Sequence, residues 1–180
     1  MHKKIPNIFT FISNFKKEEI EKLDKNIEII LRNYKEKPDI NKIRDLRKLC
    51  RLSNKKLYLA NNLKLAINLN LDGVYIPSFN KNLNQQKFSK KKDFLYLGSA
   101  HNLKELKIKE KQGVEIIFLS PLFKTKNYKN GMGIIKFNNL SQKSNKKIVA
   151  LGGINIRNIK KLKITNACGF SAISYFEKKF

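Results

Sequence analysis

Tryptophan is absent from the 180 residues, cysteine and methionine occur twice each, and 39 basic residues face only 14 acidic ones. Two cysteines, Cys50 and Cys168, are too few and too far apart to frame a disulfide network or a zinc ligand set. Both read as small core residues in a reducing compartment. No apolar run reaches the roughly 20 residues that a membrane-spanning helix needs. The stretch from Met1 to Asn14 starts basic but mixes Pro6, Asn7 and Thr10 into its apolar run, which is too short and polar for a signal peptide. A cytoplasmic protein with no membrane partner is expected. The shortage of acid leaves a net charge of +25, which ordinarily points to a polyanion. Arginine, the residue that reads bases and phosphates bidentately, is scarce. The lysines are instead dispersed among abundant asparagine and isoleucine, as drift toward A/T-rich codons produces. The densest block, Lys87 with Lys90, Lys91 and Lys92, reads as a solvated loop. No specific nucleic-acid partner is expected, and an RNA-binding protein is a distant alternative.

What is present is an alternation. Strand-like apolar runs occur at Ile8 to Ile12, Ile27 to Leu31, Leu57 to Leu59, Val74 to Ile76, Phe94 to Leu97, Glu115 to Leu119, Ile148 to Leu151 and Phe170 to Ser174. Most lack a polar face, as expected of strands covered on both sides of a parallel sheet. Between several of them lie amphipathic segments. Asp39 is placed to cap a helix whose Ile40, Ile43, Leu46, Leu49 and Cys50 form one stripe. Asn102 and Glu105 resemble a capping box, and Gly113 supplies the stop. The reading is α/β: one domain over residues 1–180, a compact (β/α)8 TIM barrel with shortened or missing helices. Such barrels usually need about 200 residues or more, so the saving must come from the helical layer. The segment between the fourth and fifth strands, with little helical periodicity, is one place. A doubly wound open sheet is the alternative.

The run from Ile148 to Leu151 stops at Gly152-Gly153, and Ile156, Ile159 and Leu162 then recur at helical spacing. Two glycines at a strand-to-helix turn permit positive φ and close approach, leaving peptide N–H groups to face an anion. A tight connection without a ligand is the plainer reading. In a barrel, active sites lie at the C-terminal ends of the strands, with phosphate sites often built by the loops after strands seven and eight. Gly152-Gly153 and Ile173-Ser174 occupy those two places.

The segments DGVYI, LGSAHNLKEL, LSPLF followed by Thr125 and Gly133, VALGGIN with Asn158, and GFSAIS resemble thiamine phosphate synthase and its relatives in order and approximate spacing. The resemblance covers Leu59 to Tyr175 and implies a barrel that joins an aminopyrimidine methyl diphosphate to a thiazole phosphate, releasing diphosphate and forming thiamine phosphate. It implies small-molecule phosphate and diphosphate substrates, with Gly152, Gly153, Ile173 and Ser174 on the thiazole phosphate. Ser99 and Thr125 fall at positions near the diphosphate. Departure of diphosphate leaves a pyrimidine-stabilised cation, so the chemistry needs leaving-group charge stabilised and the nucleophile positioned, without a covalent catalyst. Taken alone, Ser99 would read as a strand terminator and His101 as a locally bonded helix-entry residue.

The sequence also departs from the family. Its second-strand motif of glutamine, arginine and lysine is represented by ILRNYK, so Arg32 remains while Ile30 and Tyr34 take the other two places. Arg32, Ser99 and Thr125 are therefore the catalytic candidates, and Lys126 or Lys129 is a candidate for the missing lysine's role. The family's Mg2+ would fall at Asn61 and Asn80, where amides replace acidic residues. Mg2+ prefers hard anionic oxygens, so the ion is expected to be held weakly or lost. Pro121 stands where the tautomerase branch has histidine, which favours the synthase branch. A phosphate-binding relative with altered or lost catalysis is the second reading.

Overall fold

The computed structural model describes residues 8–84, 93–126 and 128–172. The lysine block at 87–92 and the pair Ile173-Ser174 lie outside these residues. Eight strands appear in chain order: β1 Ile8–Ile12, β2 Ile27–Leu31, β3 Leu57–Ala60, β4 Gly73–Ile76, β5 Leu95–Ala100, β6 Ile116–Leu119, β7 Lys147–Leu151 and β8 Gly169–Ser171. Each pairs in parallel with the next, and β8 pairs with β1 through Ile8↔Phe170 and Phe9↔Ser171, closing the barrel. The open-sheet alternative is thereby excluded.

Strand periodicity sorts side chains into two buried layers. Phe9, Phe11, Ile30, Tyr58, Tyr75, Leu95, Leu97, Ile116, Phe118 and Val149 fill the barrel. Five of these ten are aromatic, where branched aliphatics usually dominate. Phe118 meets Phe9, Phe11 and Tyr75 edge-on, with centroids 4.9, 5.9 and 5.6 Å away. These are the tilted geometries that ring quadrupoles favour. Each such side chain, fully buried, contributes roughly 1.5–3 kcal/mol. The outward residues of the same strands, such as Ile29, Leu57, Val74 and Ile117, pack against the helical layer.

That layer is reduced, as a chain of this length requires. Helices α1 (Lys17–Lys22) and α3 (Leu63–Asn68) have six residues each. The others are α2 (Ile40–Leu52), α4 (Leu103–Lys111) and α5 (Gly133–Ser141). Asp39 Oδ1 accepts from the amides of Asn41 and Lys42 at 3.0 and 3.1 Å, capping α2. Asn102 Oδ1 accepts from Glu105 N at 2.9 Å, while Glu105 reaches back to His101 N at 2.7 Å, and Gly113 ends α4 at φ 74°.

Three expectations are corrected. Ile40 is exposed at the first turn of α2, outside the buried stripe of Ile43, Leu46, Leu49 and Cys50. The segment after β7 forms a 3-10 helix, Ile159–Ile164, with three residues per turn, and Ile156 precedes it and is exposed. Cys50 is buried and its thiol pushed up to about 12 by desolvation, whereas Cys168 is exposed. Among the lysines, Lys55 and Lys109 are buried. Among the described residues, no helix is long and apolar enough to cross a membrane.

Candidate active site

The C-terminal ends of the strands form a mouth with two differently built sides. On the first, β2 delivers Arg32 one residue beyond its end. Arg32 N donates to Ile12 O at 2.7 Å, and its guanidinium lies 4.6 Å from the Phe11 ring centroid. That contact orients the cation by the ring face while leaving its donors available. Phe11 also meets Tyr75 edge-on at 5.1 Å. Tyr75 is buried at the upper end of β4, and its hydroxyl is hydrogen-bonded to Ser99 of β5. Burial pushes the phenol up to about 12, with the Ser99 bond and the Arg32 charge pulling it back, so it is protonated at neutral pH. Arg32, Tyr75 and Ser99 are thus connected across three strands. Tyr75 has no signature in the sequence, because a tyrosine in GVYI reads as core.

Beside Arg32 a cleft of about 730 Å³ opens above β1, β2 and β3, lined by Arg32, Tyr34, Lys35, Lys37, Lys42 and Ser13 among others. Glu36 and Asp39 also line it. Glu36 accepts from Asn33 Nδ2 at 3.1 Å and Asp39 caps α2, while Arg32, Lys35, Lys37 and Lys42 outnumber these two carboxylates in the lining. Lys35 lies one residue past Tyr34, the place where the family motif has lysine. A one-residue offset in a loop hides such a group from motif matching.

On the second side, the loop after β6 continues the β6–β7 pairing. Leu122 N donates to Leu151 O at 2.8 Å and Phe123 N to Gly152 O at 3.0 Å. Here the close approach required of the glycine pair is made by the protein's own backbone. A Cβ on Gly153 would sit 2.3 Å from Lys124 O, and one on Gly152 would sit 2.8 Å from Pro121 Cα. Both have positive φ, 97° and 70° in chain order. Sterics alone therefore demand glycine, and a ligand is not needed to explain either residue.

Thr125 closes a turn of the same loop: its Oγ1 accepts from Tyr128 N at 3.1 Å and its own N donates to Tyr128 O at 2.9 Å. Tyr128 stacks on His101 with centroids 6.1 Å apart. His101 follows Ser99 by two residues, so this contact carries the loop, with exposed Lys126 and Lys129 on either side of Tyr128, toward the β5 end. His101 Nδ1 lies 2.8 Å from Ser120 O. A carbonyl only accepts, so Nδ1 bears the proton. His101 is bonded locally.

Asn61 and Asn80 do come together, but through each other. Asn80 Nδ2 donates to Asn61 Oδ1 at 2.7 Å, and Asn80 Oδ1 accepts from Asn82 N at 3.0 Å. The backbone donor at Asn82 fixes which end of the Asn80 amide faces Asn61. Both amide oxygens are engaged, and neither is anionic. Among the described residues, no group of three or more histidine, cysteine or acidic side chains is placed to hold a metal. This donor set does not fit Mg2+, which takes hard, preferably anionic oxygens. Beneath the same loop, fully buried Lys109 donates to Pro77 O, Asn80 O and Gln112 Oε1 at 2.7, 2.8 and 2.8 Å. Burial pushes this ammonium down to about 8, against the opposing attraction of Glu105, so it remains charged at neutral pH.

A closed (β/α)8 barrel whose mouth gathers an oriented guanidinium, a phenol–hydroxyl pair and a lysine-rimmed cleft belongs to the barrels built to handle phosphorylated small molecules. The family profile for thiamine monophosphate synthase matches residues 19–176, and the chain belongs to that family of transferases. A protein of Aquifex aeolicus provisionally described as thiamine-phosphate synthase 2 is 30% identical over 141 residues, covering 74% of this chain and 72% of that protein. The thiamine-phosphate synthase of Prochlorococcus marinus is 30% identical over 154 residues, covering 78% of this chain but 42% of its own length. Among solved structures, the thiamine phosphate pyrophosphorylase from Pyrococcus furiosus superposes with a TM-score of 0.73 at 17% identity, covering 94% of this chain and 86% of that one. That likeness concerns the fold.

Proposed function

We propose that the protein joins an aminopyrimidine methyl diphosphate to a thiazole phosphate, with Arg32, Tyr75 and Ser99 receiving the diphosphate. The observation that carries this reading is their convergence beside the cationic cleft, in a chain of this family. In the reaction the bond from the pyrimidine methylene carbon to the diphosphate oxygen breaks, its electron pair leaving with diphosphate. The thiazole nucleophile then supplies the pair for the new bond. Negative charge therefore grows on the leaving oxygens, where a preoriented guanidinium and hydroxyl donors stabilise it most. Lys35, Lys37 and Lys42 add charge at the rim, with Lys126 or Lys129 supplementing it from the loop after β6. The thiazole phosphate is assigned to the turn at Gly152 and Gly153 with Ile173 and Ser174. Mg2+ enters no step, since Asn61 and Asn80 do not fit it.

Incubation of purified protein with both substrates and quantification of thiamine phosphate tests the proposal. Product above the uncatalysed rate is expected, with turnover falling about a hundredfold in Arg32→Ala, the size of losing one charge-stabilising donor. Ser99→Ala is expected to fall less, because the Tyr75 hydroxyl remains. No product under any condition would leave the second reading, a phosphate-binding relative without catalysis, which the spent donors at Asn61 and Asn80 favour.

A further inference from the structure

We infer that the β3–β4 edge of the mouth has exchanged divalent-cation ligation for a self-sufficient amide pair, Asn61 with Asn80, locked from below by the Lys109 ammonium. Two carboxylates at a separation of 2.7 Å would repel and draw in a cation to balance them. Two amides need none, because one donates where the other accepts. The chain adds a second obstacle. The Lys109 ammonium sits 2.8 Å from the backbone oxygen of Asn80, placing fixed positive charge where an approaching divalent ion would be repelled.

This arrangement is built rather than incidental. Lys109 takes three acceptors with its three protons, and Gln112 Nε2 donates to Asn80 O and Asn82 O at 2.9 and 3.0 Å. Four bonds from the C-terminal end of α4 therefore hold the loop from Pro77 to Asn82, and the fifth joins Lys109 to Gln112. Room for the lysine stem exists because residue 98 is glycine: a Cβ there would lie 3.0 Å from Lys109 Cδ. The loop in turn presents Phe79 edge-on to Tyr34 at 5.4 Å, joining the wall of the cleft. The ordering that an ion would give this loop is supplied by the protein's own cation, without a free coordination site.

The exclusion of the ion stands independently of the reaction. Its consequence, that diphosphate is met by side-chain cations alone, rests on the proposed function. The test is therefore made without substrates. Mn2+ is titrated into the full chain and followed by electron paramagnetic resonance, and thermal melting is measured with and without Mg2+. Wild type is expected to bind no Mn2+ up to ~1 mM, the weak end of protein oxygen sites, and to melt identically in both buffers. Asn61→Asp/Asn80→Asp is expected to bind Mn2+ at least tenfold more tightly and to be stabilised by Mg2+. Asn80→Asp alone, with a single added charge, provides the same reading at smaller amplitude should the double variant fold poorly. Wild-type binding as tight as that of either variant would overturn the inference. Absence of any gain in folded variants would also overturn it, since the amides would then not be what excludes the ion. Calorimetry with inorganic pyrophosphate in chelator addresses the consequence separately.

Discussion

On the β6–β7 side of the mouth, backbone meets backbone: the loop from Pro121 to Lys124 lies so close to Gly152 and Gly153 that no side chain can intervene. On the β2–β4 side, side chains meet side chains: Arg32 on Phe11, Tyr34 on Phe79, Tyr75 with Ser99, Asn61 with Asn80. The first side is fixed by shape and accepts almost no substitution. The second is fixed by chemistry, so one set of partners can replace another, as an amide pair replaces acidic residues. The same barrel thus keeps one side rigid through its backbone while the side chains of the other can exchange partners.

Substitution at Gly153 should break the rigid side. Gly153→Ala forces a Cβ against Lys124 O and retains an unfavourable positive φ, a combination of clash and strain expected to cost about 3–4 kcal/mol. For a chain of this size that is a fall in melting temperature of roughly 10 °C. Because the damage is steric, Gly153→Asp cannot distinguish a lost anion site from a displaced loop. Ligand binding at this turn must be read on the intact glycine pair.

Arg32→Ala should separate the two sides. It is expected to lower turnover about a hundredfold while changing stability by less than ~1 kcal/mol, the worth of an exposed cation–π contact. Equal loss of activity and stability would place Arg32 with the scaffold instead.

Lys109→Met keeps the stem but strips the donors from the acceptors beneath the loop. Gln112 Nε2 still serves Asn80 O and Asn80 N still serves Pro77 O, so Gln112 Oε1 is the group left without a donor, and about 2 kcal/mol of stability should be lost by denaturant unfolding. Greater proteolytic sensitivity between Pro77 and Asn82 should accompany it. Tyr75→Phe should have the smallest effect. The ring still fills the space between Phe11 and Phe118, so only the hydroxyl bond to Ser99 goes, worth about 1 kcal/mol. Activity should fall severalfold with little change in melting.

Much of the fold was legible in the chain because strands covered on both faces leave unalternated apolar runs, and the eight runs mark the eight strands. The misread segment, after β7, fails for a physical reason: Ile159 and Leu162 sit three apart, which serves a 3-10 helix as well as an α-helix. For the glycine pair, sequence could say that something approaches but not that the loop after β6 does. Ser99 and Arg32 are singled out by the family motifs. Tyr75 is not, since its nearness to Ser99 depends on their two strands being neighbours. Lys109 was hidden in LKELKIKEK among solvated lysines. Its one signal was position: Leu106, Lys109 and Gln112 recur three apart, placing two polar residues on the buried face of α4.

The most direct test is the initial rate of thiamine phosphate formation by wild-type protein with both substrates saturating, in chelator and again in excess Mg2+. A mouth that handles diphosphate with Arg32, Ser99 and its lysines predicts product at rates within about twofold of each other, since any difference below ~0.4 kcal/mol is negligible on the barrier. Turnover present with Mg2+ and abolished by chelator would contradict it.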